Sequence, residues 1–183
     1  MDCGLIGSSY YAIKLIKILL KHNFLVKFVL TDDAVGSTLV RYCIKNRIPV
    51  YNTDSILKEK VAIKKAKWLF SINNDKIIPQ RIISIFSGNI LNMHNGLMPE
   101  YGGRFVTQWM LLNGETFQGS TIHYVEQAID CGDVVAIENF TIKPTDNGLS
   151  VYKKSFDAGL VAYERVIKQI VVNKALERVP IDA

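Results

Sequence analysis

A chain of 183 residues, 49% hydrophobic and 21% charged, can bury a core without help from disulfides or metal. Its formal charge of +5 is spread over several predicted helix surfaces and forms no basic block interleaved with aromatics, which puts nucleic acid well below a small anionic ligand. No signal peptide opens the chain, apolar runs such as residues 134–137 are far too short to span a bilayer, and Cys3, Cys43 and Cys131 make no CxxC pair, so a soluble cytoplasmic protein with reduced, mostly buried thiols is expected.

Residues 3–6 read as a short buried strand, Gly7, Ser8 and Ser9 as the turn after it, and residues 10–21 as a helix with Ala12, Ile16, Leu19 and Leu20 inward. A second strand follows at 24–30, a turn or cap at Thr31, Asp32 and Asp33, a helix at 37–46 and a short strand at 49–51. The alternation repeats with a strand at 68–72, a helix at 79–85 opened by proline, and a strand at 89–91 that leads into a loop over 92–104. Alternating strands and helices predict an α/β fold, a Rossmann-like mostly parallel sheet flanked by helices on both faces. Beyond the loop the pattern changes: a helix at 105–112, strands at 120–125 and 134–140, and a long amphipathic helix over 149–172 started by Asn147 and Gly148. No repeat, low-complexity stretch or linker is present, so a single domain over 1–183 is expected, its core about 1–172 and a peripheral tail at 173–183.

In an open parallel sheet ligands bind beyond the carboxyl ends of the strands, and two loops there carry polar groups that packing does not require. In the first, Asn92 and His94 alternate along an extended segment, so they face one crevice while Met93 faces the core. The second offers Asp130 beside a Cys-Gly turn. An amide and a protonated imidazole suit the oxyanion of acyl transfer to an amine, and a carboxylate suits the amine's departing proton. Spacing alone leaves open that Asn92 caps a turn, that His94 is a satisfied loop histidine and that Asp130 makes an Asx-turn.

The residues Asn92, His94, Met98, Pro99, Tyr101 and Gly103, with Trp109 on the next helix, match Asn-x-His-x-x-x-Leu/Met-Pro-x-Tyr-x-Gly. Downstream stand Gly119, Thr121 and His123 as Gly-x-Thr-x-His, and Asp130 and Gly132 as Asp-x-Gly. In these motifs, and from the first strand to about Val172, the chain resembles the folate-dependent formyltransferase family. That family includes glycinamide ribonucleotide, methionyl-tRNA and sugar N-formyltransferases. The resemblance implies N-formyl transfer from 10-formyltetrahydrofolate to a primary amine through a tetrahedral intermediate, without metal. It implies catalytic positions at Asn92, His94 and Asp130, with His123, Tyr101, Gly103 and Trp109 as substrate or supporting residues. It further implies a pterin between the loop carrying Asp75, Lys76, Ile77 and Ile78 and the loop carrying Glu126, Gln127, Ala128 and Ile129. Backbone groups do much of that binding in the family, and Ile77 and Ile78 read equally well as core.

Departures from the family pattern are Gly96 in place of its serine and Met98 in place of its leucine, which would loosen the loop or admit a different acceptor. Gly96 with Tyr101 is also similar to the formyltransferase domains of peptide and polyketide synthetases, which implies a piece of a larger multidomain enzyme, and to sugar N-formyltransferases, which implies a homodimer. The resemblance implies an amine acceptor among amino-sugar nucleotides, amino acids and carrier-bound amines. Formyl-folate hydrolysis by the same trio, and a folate-binding domain without turnover, are the competing readings; tRNA is discounted as acceptor. Gly4 and Gly7 do not make GxGxxG, which leaves a dinucleotide site little weight, and Asp32-Asp33 reads more simply as a helix cap or solvated turn than as a ribose contact.

Overall fold

A computed structural model describes residues 1–52, 63 and 66–181; Asp182 and Ala183, the last positions of the expected tail, lie outside them. The described elements are, in order, β1 (Asp2–Gly7), α1 (Ser9–Lys21), β2 (Leu25–Leu30), α2 (Thr38–Lys45), β3 (Val50–Tyr51), β4 (Trp68–Ile72), α3 (Gln80–Phe86), β5 (Ile90–His94), α4 (Val106–Leu112), β6 (Phe117–Tyr124), β7 (Val134–Thr141) and α5 (Gly148–Val171). Seven strands among the described residues form one sheet in the order β3-β2-β1-β4-β5-β6-β7. The β1/β2, β1/β4 and β2/β3 pairs are parallel and β6/β7 is antiparallel, the mostly parallel Rossmann-like arrangement that the alternation predicts. No described helix is long and apolar enough to cross a membrane. The residues fall into two compact units, Met1–Asn92 and Met93–Ala183.

In the first unit β1 and β4 are buried along almost their whole length, as strands covered on both faces must be. The helix α1 buries Ala12, Ile13, Leu15, Ile16 and Leu19. Leu20, expected inward, is 42% exposed, because it lies at the margin of the apolar stripe that those five residues define. The glycines of β1 serve packing rather than phosphate: a Cβ on Gly4 would lie 2.3 Å from the Phe28 ring, and one on Gly7 would lie 2.1 Å from the Ile72 carbonyl oxygen. The turn after β1 is tied by hydrogen bonds from Ser8 Oγ to the Asn73 carbonyl (2.7 Å) and from Asn73 Nδ2 to Ser9 Oγ (3.0 Å). Asp33 does act as a cap, for α1 rather than for α2: its Oδ2 accepts the Ser9 N–H at 3.2 Å.

In the second unit β6 and α5 form the frame. Asn147 opens α5 with a capping box, its side chain accepting the Ser150 N–H at 3.1 Å while Ser150 Oγ accepts the Asn147 N–H at 2.9 Å. Met93 is buried and lies against Gly159 of α5, where a Cβ would come within 2.2 Å of its sulfur. The polar residues buried in β6 are partnered, as burial requires. Ser120 Oγ donates to the Ser155 carbonyl at 2.5 Å, Thr121 Oγ1 donates to the Gly96 carbonyl at 2.7 Å, and Gln118 Oε1 accepts the Leu97 N–H at 3.3 Å. Beyond α5 the chain returns to the start of β7, where Val179 pairs with Val134 in an antiparallel bridge.

Candidate active site

The strand β5 continues through His94, so Asn92 and His94 stand inside it rather than in the loop expected from residue 92 onward. As alternate residues of one strand they share a face; Asn92 is half-buried and His94 is 6% exposed. Met93 between them is buried.

His94 Nε2 lies 2.5 Å from the Tyr101 carbonyl oxygen. A carbonyl only accepts, so Nε2 carries the hydrogen, and Nδ1 is left facing Asp130 Oδ2 at 3.5 Å. Both ring nitrogens therefore face acceptors, which fixes the plane of the ring. The Asp130 carboxylate is fixed from a third side, where the Gly103 N–H donates to Oδ2 at 2.9 Å. Its Oδ1 lies 3.8 Å from His123 Nε2. Asp130 has φ +53°, a left-handed conformation that aspartate tolerates better than most residues and that marks a backbone held by its surroundings.

Tyr101 supports this site with its backbone. Its phenol donates to Glu115 Oε1 at 2.6 Å and accepts from Asn113 Nδ2 at 3.0 Å, while its ring packs on a cluster of Val106, Met110, Ile142 and Val151. The bond to Glu115 raises the phenol's pKa above its ordinary value, so the hydroxyl stays a donor. With both ends anchored, the carbonyl that receives His94 is a fixed point. Gly96 does not loosen the loop: a Cβ there would lie 2.6 Å from Val106 Cγ1 and 2.9 Å from Tyr101 Cβ, so glycine permits a close approach.

His123 is 2% exposed and donates from Nδ1 to the Tyr124 carbonyl at 2.8 Å. Burial pushes its pKa from 6.5 down to about 4, Asp130 opposing and the neighbouring His94 charge reinforcing that shift. The native state then binds fewer protons than the unfolded chain between those two values. This contribution to stability is complete above 6.5 and is lost as pH falls toward about 4. Urea midpoints measured between neutral pH and the acid side should fall with pH in wild type and fall less steeply in His123→Gln.

The remaining expected residues divide. Ile78 is buried at 8% exposure and belongs to the core, whereas Ile77 is 70% exposed. Asp75 and Lys76 are exposed and line a pocket of about 200 Å³ in the first unit, together with Gly7, Ser8, Asp32 and Asn73. Lys76 is already paired with Asp32 at 2.9 Å. In the second unit Glu126, Gln127, Ala128 and Ile129 are all exposed beside Asp130. Trp109 is 55% exposed on α4, and Leu112, one turn away on the same face, is exposed as well. The supports that sequence reasoning missed, the Tyr101 carbonyl and Gln118, leave no side-chain pattern or motif to find them by.

Comparison with known proteins follows the same lines. The methionyl-tRNA formyltransferase of Fusobacterium nucleatum is 28% identical over 84% of this chain, which spans 53% of that relative's length. The crystal structure of phosphoribosylglycinamide formyltransferase from Bacillus halodurans superposes with a TM-score of 0.83 at 19% identity, over 93% of this chain and 95% of that one. An N-formyltransferase from Helicobacter canadensis, solved with folinic acid and dTDP-3-aminofucose, does so with a TM-score of 0.82 at 23% identity, over 98% and 67%. Both structural likenesses establish the fold. The model of the formyl transferase family matches residues 44–167, more than half of the sequence and the whole span from Asn92 to Asp130, so the chain belongs to the formyl transferase family.

Proposed function

We propose that this chain transfers a formyl group from 10-formyltetrahydrofolate to a primary amine, with Asn92, His94 and Asp130 as its reacting residues. The observation that carries the reading is one carboxylate, Asp130, held by the Gly103 N–H at 2.9 Å with His94 Nδ1 at 3.5 Å. The residues suit the donor: hydrogen-bond donors and an acceptor share one strand end and its facing loop, and the adjoining run at 126–129 is exposed and open to a ligand. When bound, the folate supplies the electrophilic formyl carbon.

The chain's own groups do the rest. The Asn92 amide donates a hydrogen bond toward the negative charge that grows on the formyl oxygen, and the His94 ring, held between the Tyr101 carbonyl and Asp130, orients the carboxylate beside it. Asp130 accepts the proton that the attacking amine must shed, directly or through one water. Tyr101 and Gly103 contribute backbone groups that keep His94 and Asp130 in register. An amino sugar linked to a nucleotide is the acceptor favoured among amines, supported by the sugar ligand in the Helicobacter canadensis structure and by the excess of basic residues here.

The test is calorimetric titration with 5-formyltetrahydrofolate, a stable stand-in for the donor, followed by transfer assays over a panel of amino sugars, amino acids and carrier-bound amines. Asn92→Ala should bind the stand-in with near wild-type affinity and lose roughly 10²–10³-fold in kcat, the cost of one oxyanion donor. Equal losses of affinity and thermal stability in that variant would make Asn92 a structural residue.

A further inference from the structure

The last described residues of the chain return to the stems of the loop that carries Asp130. Tyr124 ends β6 and Val134 begins β7, so the loop hangs between these two residues. Its base is closed by the Tyr124 N–H donating to the Asp133 carbonyl at 2.9 Å. Across this base lies the segment containing Arg178 and Val179. Val179 and Val134 exchange both backbone hydrogen bonds, at 2.8 and 2.9 Å. The Arg178 guanidinium sits 3.7 Å from the centroid of the Tyr124 ring, and its Nη1 lies 3.9 Å from Asp133 Oδ2. One side chain thus touches the residue that enters the loop and the residue that leaves it.

We propose that Arg178 is a positioning residue for the Asp130 carboxylate, a staple across the two stems of its loop. The tip of the loop is open to solvent. Glu126, Gln127, Ala128 and Ile129 are exposed and bury no apolar anchor, and Asp130 itself is held by the Gly103 N–H. A carboxylate at the end of such a loop moves as its stems move. Tyr124, the residue beneath Arg178, also receives His123 Nδ1 on its carbonyl, so the staple fixes the backbone that orients the second histidine facing Asp130. A cation over an aromatic ring and a half-exposed ion pair contribute little to global stability. Their effect is on geometry, where a misplacement of about 1 Å can cost up to roughly 100-fold in rate.

The kinetic part of the test rests on the proposed formyl transfer, so it is joined to a readout that does not. The chain has three histidines, and the ring resonances of His94 and His123 report on the loop while His22, in the first unit, serves as reference. In Arg178→Ala the His94 and His123 resonances should shift with His22 unchanged, and kcat should fall roughly 10- to 100-fold with little change in KM for the donor. Arg178→Lys, which keeps a cation over the ring, should recover most of both. Unchanged His94 and His123 resonances in Arg178→Ala would overturn the proposal, as would a loss of activity that only tracks the loss of folded protein. Shifted resonances in a chain that transfers no formyl group to any amine would sustain the staple and sink the reaction.

Discussion

Asp130→Asn should fold as well as wild type and lose roughly 10³-fold in kcat, within the range that a positioned general base contributes. The two halves of this expectation come from the same geometry. Gly103 N–H and His94 both approach Oδ2, so the asparagine oxygen takes that place and keeps the 2.9 Å bond. The new amide nitrogen then faces His123 Nε2, where the Oδ1 of aspartate stands at 3.8 Å. His123 is neutral at working pH, its pKa pushed down to about 4 by burial, and its Nδ1–H is committed to the Tyr124 carbonyl. Its Nε2 is therefore a lone-pair acceptor that confronts a carboxylate in the wild type and would receive a donor in the variant. The substitution removes a repulsion between two acceptors as it removes the base. Thermal melts should show no loss of stability while turnover collapses. A variant that loses both in step would show Asp130 to be a structural residue.

The sequence carried the fold where burial imposes period. Strands β1 and β4 are buried on both faces and read as short apolar runs bounded by polar turns, and α5 announces itself by its stripe and by Asn147 ahead of it. Period is a poorer guide at a stripe's margin, where Leu20 reads as inward, and at the end of β5, where Asn92 and His94 read as loop residues although Met93 between them packs against Gly159. Within the site, the alternation of Asn92 and His94 was legible because it is local. What joins His94 to Asp130 was not, because it depends on a carbonyl at Tyr101 and an N–H at Gly103, and every residue carries such groups. Gly96 shows the limit of reading a residue by its usual property: glycine suggested flexibility, and the structure uses its missing Cβ to bring Tyr101 and Val106 close. The staple at Arg178 was invisible for a different reason. A single arginine in a polar tail looks like solvated charge until the chain is seen to pair Val179 with Val134.

Gly132→Ala should be the most destabilising single-methyl change in the second unit, by about 3 kcal/mol, the upper end of the usual range for overpacking. Asp-x-Gly reads in a sequence as a turn glycine, but the position has no left-handed φ, and its constraint is space. An added Cβ would stand 1.9 Å from the Tyr124 carbonyl oxygen and 2.7 Å from its carbon. These are backbone atoms that cannot rotate aside. The same oxygen accepts from His123 Nδ1 at 2.8 Å, and the Tyr124 N–H donates to the Asp133 carbonyl at 2.9 Å. Room for the methyl can come only from parting the stems of the Asp130 loop, so whatever native protein survives should have a displaced carboxylate and low turnover. Gly36→Ala is the matched control, since an added Cβ there meets no atom within 4 Å, and it should stay within about 0.5 kcal/mol of wild type. Denaturant midpoints for the two variants decide the matter: a wide gap places the constraint at the loop base, and equal midpoints would mean that the loop yields freely and that its shape does not hold Asp130.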